Sequence, residues 1–111
     1  MIRVDVILDT AGILKSCAVV GHASAGPRNE DIVCAAVSVL SRTALRTLSK
    51  TEGVTVRGNA PARGELFMEI EYAAVCRDQV AGITNFLLEG LLSISEEFSE
   101  HCCVRIQRER R

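Results

Sequence analysis

From Ile2 to Leu8 apolar and polar residues alternate, with Ile2, Val4, Val6 and Leu8 on one side and Arg3 and Asp5 on the other. A period of two sends successive side chains to opposite faces, so this segment is predicted as a strand with one buried face. Asp9-Thr10-Ala11-Gly12 reads as a tight turn, and Ile13 to Val20 as the second strand of a hairpin. From Gly21 to Glu30 the apolar pattern stops. Gly26-Pro27 and Asn29 mark that stretch as a loop ending at a helix start.

The period then changes. Between about Asn29 and Ser49, Val33, Val37, Leu40, Ala44 and Leu48 recur at four- and three-residue steps, the buried stripe of a helix. Val54 to Arg57 and Leu66 to Tyr72 alternate again and form a second strand pair across a loop with Gly58, Asn59, Pro61 and Gly64. A second helix is predicted over Asp78 to Phe98, with Val80, Ile83, Leu87, Leu91, Ile94 and Phe98 on one face. Cys102 to Gln107 closes the series as a strand, its inner side carrying Val104 and Ile106. The order β-β-α-β-β-α-β implies a two-layer α+β fold. One mixed, mainly antiparallel sheet of about five strands carries two long helices on one face. Residues 1–111 make a single domain without internal repeats. One sheet face is left over, and a homodimer is the expected way to cover it.

Composition narrows the function classes. Of 111 residues, 48% are apolar and 24% charged, with a formal net charge of -1. That balance excludes a disordered chain, a collagen and a coiled-coil rod. It also argues against a surface given over to nucleic acid, which needs clustered Lys and Arg. With Phe67, Tyr72, Phe86 and Phe98 as the whole aromatic complement, the core is expected to be aliphatic. The longest uncharged run, Ser16 to Pro27, falls short of the roughly 18 to 20 residues of a membrane span. Asp5 and Asp9 interrupt any signal-like start, so the cytoplasm is the expected compartment. Five cysteines, an odd number with no CxxC, read there as thiols packed as small hydrophobes.

The chemically informative stretch runs from Gly21 to Ser38. It sets His22 at the end of a strand and Cys34 in the first turns of the next helix. Exposed N–H groups and the dipole at a helix start favour a thiolate, and a nearby imidazole can take the thiol proton. The same amides can hold a developing oxyanion. Asp31 shares a helix face with Cys34. By itself it opposes the thiolate, and it helps by pairing with the His22 imidazolium or by capping the helix. Ser38 falls on the same helix face one turn on. Gly21 and Gly26 flank the first part of the loop as candidate hinges.

Other readings use the same residues. Cys34 and His22 alone are a weak pattern, more often a core thiol and a polar strand end than a catalytic pair. Cys17 and Cys76 read as packing, whereas Cys102 and Cys103 face opposite sides of a strand. His22, Cys34, His101 and Cys102 are zinc-ligand types, but no pair has the short spacing of a structural zinc site. Arg105, Arg108, Arg110 and Arg111 allow RNA contact without requiring it, and a charged terminus is usually only solvated. A non-catalytic adaptor that binds another protein or RNA is the competing function.

Gly21-His22-Ala23, with Asp31-Ile32-Val33-Cys34-Ala35-Ala36-Val37-Ser38 after it and twelve positions from His22 to Cys34, resembles the signature of the bacterial ribosomal-processing cysteine protease family, Prp. Length and element order agree over essentially the whole chain. The resemblance implies a two-layer α+β homodimer with Cys34 as nucleophile, His22 as general base and later acid, and Asp31 as an accessory residue. It implies no metal or organic cofactor. The implied substrate is the precursor of the large-subunit ribosomal protein L twenty-seven, whose short N-terminal extension is removed beneath a closing His-to-Cys loop. Ser24 to Glu30 departs from the Gly- and aromatic-rich family loop, and Pro27 stiffens it.

Overall fold

The computed structural model describes residues 1–21, 28–61 and 64–110. The strands are β1 (Ile2–Leu8), β2 (Leu14–Val20), β3 (Val54–Asn59), β4 (Glu65–Tyr72) and β5 (Cys102–Arg108). The helices are α1 (Arg28–Ser49) and α2 (Arg77–Glu97), the latter entered through a 3₁₀ turn at Ala74–Cys76. The sheet order is β3-β4-β2-β1-β5. Every neighbouring pair is antiparallel except β1 and β5, which run parallel from Ile2 opposite Cys102 to Leu8 opposite Arg108. The fold is the two-layer α+β arrangement that the periodicities imply.

Alternation decides which face receives the helices. Ile2, Val4 and Val6 of β1, Cys17 and Val19 of β2, and Leu66, Met68 and Ile70 of β4 are buried. Val33, Val37 and Leu48 of α1 and Val80, Leu87 and Leu91 of α2 complete a core without a buried aromatic. Ser41, Thr51 and Thr84 are the polar residues buried with it among the described residues, and Thr84 ties a strand to a helix. Between Ile7 and Leu8 the β1–β2 register shifts, Ile7 pairing with Ser16 and Leu8 with Leu14, so Lys15 is a bulge. The Leu14 N–H finds its acceptor in Thr84 Oγ1 of α2 (3.1 Å), and that hydroxyl donates to the Val80 carbonyl (2.8 Å).

The sheet's outer face is more polar than a surface awaiting cover. Arg3, Asp5 and Arg105 stand exposed there, and Arg57 pairs with Glu69 at 3.1 Å, leaving Val20 and Phe67 as its exposed large apolar groups. The helix layer instead exposes Val39 and Phe86. Over Ile32–Ser49, α1 is long and apolar enough to cross a membrane. Counting uncharged runs missed this because Arg42 and Arg46 interrupt them. In the fold the stripe of Val33, Val37, Ala44 and Leu48 is buried in the core.

Candidate active site

Since α1 begins at Arg28, Cys34 sits at the end of its second turn. The unpaired helix N–H groups therefore lie about one turn before it, and the dipole's influence is largely confined to that first turn. Cys34 is 1% exposed. Its Sγ lies where β2 and β4 end together. The β2–β4 ladder stops at Val20 opposite Glu65, and the next residue on each strand is a glycine, Gly21 and Gly64. A Cβ added to Gly64 would stand 3.2 Å from Cys34 Sγ and 3.0 Å from the Gly21 carbonyl oxygen. The peptide leading into His22 thus leaves the sheet at the corner that holds the thiol.

His22 and Gly26 lie outside the described residues. Asp31 belongs to α1, one turn before Cys34, and Ser38 is half-buried one turn after it. Gly21 has a packing reason to be glycine besides any hinge role, because a Cβ there would fall 2.2 Å from Ile2 Cδ1. One neighbour of the thiol and one tie between α1 and the β3–β4 connection were not singled out from sequence. Gly64 is one, although stepping back by two from Ile70, Met68 and Leu66 places it on the inner face. Arg42 is the other. Two turns beyond Cys34, its Nη2 donates to the Ala60 carbonyl at 3.4 Å and ties the segment after β3 to α1.

The remaining thiols have other surroundings. Burial, with Asp5 nearby, pushes Cys17 up to about 12, and burial, with Cys103 beside it, also raises Cys102. Cys76 donates its S–H to the Glu52 carbonyl at 2.9 Å. Cys103 is exposed on the outer face of the edge strand β5. Among the described residues no three His, Cys, Asp or Glu side chains converge to hold a metal. An apolar groove of about 450 Å³ lies further along α1, between it and α2, and Cys34 does not line it.

Residues 1–103 match the family model described as Cysteine protease Prp. The fold is similar to SMU.848 from Streptococcus mutans, at 28% identity and a TM-score of 0.79, with 98% of this chain and 96% of that one covered. It is also similar to an essential ribosomal processing protease Prp from Staphylococcus aureus in complex with a substrate peptide. That structure is 24% identical with a TM-score of 0.79, covering 96% of this chain and 100% of the other. A further S. aureus Prp structure, with a covalently linked product peptide, is similar at 23% identity and a TM-score of 0.78 over 96% of this chain and 100% of that one. No curated protein matches the sequence.

Proposed function

Since the chain belongs to the cysteine protease Prp family, we propose that it removes the short N-terminal extension of ribosomal protein L twenty-seven, using Cys34 as nucleophile and His22 as its base. One observation supports this most directly. The residue before His22, Gly21, meets Gly64 at the point where the Cys34 thiol lies. The chain thus runs towards His22 from the corner where the thiol lies, which supports reading the two residues as a nucleophile–base pair.

The reaction has two stages. His22 takes the thiol proton, and Cys34 Sγ attacks the scissile carbonyl to give a tetrahedral oxyanion. Collapse of that intermediate forms the thioester and expels the amine, which His22 protonates. A water then loses its proton to the same imidazole, adds to the thioester and returns the thiol. With the first-turn amides of α1 a turn away from Cys34, support for charge on Sγ falls mainly to the His22 imidazolium. Asp31 has the accessory role of supporting that cation. The cytoplasm, where ribosomal proteins are made, is the compartment this function requires. We assign the homodimer contact to the helix layer, because its exposed Val39 and Phe86 are more apolar than the charged outer sheet.

A peptide spanning the N-terminal processing region of the same organism's L twenty-seven provides the test. Cys34→Ser should lose at least about a thousandfold in kcat/KM while keeping its melting temperature within a few degrees, because a hydroxyl is far less acidic than a thiol. Cleavage by Cys34→Ser at the wild-type rate would remove the assignment.

A further inference from the structure

The inner face of β4 is a regular series, Ile70, Met68 and Leu66, each buried against the helices. One more step of two along the strand direction reaches Gly64, which is also buried. A side chain there would continue the series into the place that Cys34 Sγ occupies, since its Cβ would lie 3.2 Å from the sulfur. The other side of the position is closed by backbone, the Gly21 carbonyl oxygen at 3.0 Å and its carbon at 3.5 Å. Backbone of the strand end cannot yield as a flexible side chain does. Gly64 also has φ +81°, a conformation L side chains rarely adopt. The segment carrying it is fastened to α1 upstream, where Arg42 holds the Ala60 carbonyl.

We propose that Gly64 is a positioning residue for the nucleophile: by lacking a Cβ it reserves the space from which Cys34 Sγ reaches the scissile carbonyl. The inference rests on the assignment of Cys34 as nucleophile. An added methyl group would meet the sulfur on one side and the Gly21 carbonyl on the other, so the thiol would rotate or shift by a few tenths of an ångström. Attack geometry is steep in such displacements, and small misplacements of a reacting atom cost ten- to a hundredfold in rate.

Gly12 supplies the control. It has the same φ of +81°, and an added Cβ would meet only the Arg108 guanidinium, the free end of a flexible side chain. Gly64→Ala and Gly12→Ala therefore share the backbone cost, and only the first crowds the thiol. Cleavage of the L twenty-seven peptide is measured below the melting range of both variants, with Cys34→Ala alongside. Gly64→Ala should lose at least about tenfold in kcat with KM within about threefold, and its rate of Cys34 alkylation should change, whereas Gly12→Ala stays within about twofold of wild type. Gly64→Ala at wild-type kcat, or an equal loss in Gly12→Ala, would overturn the positioning role while leaving Cys34 in place. An active Cys34→Ala would instead overturn the assignment beneath it. A second measurement does not depend on Gly64→Ala folding. In amide NMR spectra of the intact chain, Cys34→Ser should move the Gly64 resonance and leave that of Gly12 unmoved; an unmoved Gly64 resonance would equally overturn the contact.

Discussion

Cys17 lies in mid-β2 with no exposed surface, and burial next to Asp5 raises its thiol from 9.0 to about 12. Folded and unfolded chains both hold this proton below pH 9, so the stability linked to it is complete there. Above that, the unfolded chain ionises first. Stability should fall as pH rises from about 9 towards 12, by up to about 4 kcal/mol. Urea midpoints at about pH 8 and about pH 11 measure the fall, and Cys17→Val should make it smaller; an unchanged fall would discard burial as its cause. Asp9 behaves in the opposite sense. Burial works against its charge, but the Tyr72 hydroxyl (2.6 Å) and the Ile13 and Ala11 N–H groups (3.0 and 2.8 Å) outweigh that, with Arg77 adding to them, and its pKa is lowered from 3.8. Stability from Asp9 is therefore present above about pH 4 and lost as pH falls through the lower folded value. Tyr72→Phe should cost about 1 kcal/mol at neutral pH and less as pH falls through the folded Asp9 value, and a pH-independent cost would mean the hydroxyl does not act through the Asp9 charge. Sequence reading brought Cys34 into view through its helix and its neighbouring words. It passed over Gly64 because a glycine offers no chemistry of its own, and its value lies in the sulfur it leaves room for.

Element boundaries were legible to within a residue or two wherever a clean period was present. Alternation in β1 and β4 and the apolar stripe of α1 appear in the fold as read. Thr84 was not legible, because a stripe of apolar residues along α2 assigns no role to a hydroxyl between Val80 and Leu87. Its role arises from the Lys15 bulge, a feature of pairing between strands that no single segment encodes. Thr84→Val should keep the volume and lose both hydrogen bonds, leaving the buried Leu14 N–H without its acceptor. The expected cost is about 1 to 3 kcal/mol in urea unfolding, larger than that of Thr84→Ser, which restores the hydroxyl at the expense of a methyl. Equal costs for the two variants would reduce the residue to packing.

The sheet and the helix layer divide the surface of the whole molecule by character. The Arg57–Glu69 pair and the exposed Arg3, Asp5 and Arg105 occupy the sheet's outer face, whereas Leu40, Ala44, Gly82, Ile83 and Phe86 line an open groove between α1 and α2. Phe86, 75% exposed, is the anchor of the proposed contact with a second copy. Phe86→Asp should weaken self-association by about thirtyfold or more in sedimentation equilibrium, the effect of losing a central aromatic contact worth about 2 kcal/mol. If Phe67→Asp on the sheet face had that effect instead, the helix layer would lose its assigned role.

The parallel pairing of β1 with β5 makes the enzyme's beginning wait for its end. Seven paired positions join Ile2–Leu8 to Cys102–Arg108, and the Ile2 N–H donates to the His101 carbonyl at 2.8 Å. Until those residues exist, a strand destined for the interior carries a bare row of peptide groups, open to mispairing with any neighbour. The nascent sheet cannot be completed before β5 is made, and a pairing between strands so far apart in sequence is slow to close. A processing enzyme of the ribosome thus completes its sheet only after its fifth strand has been made.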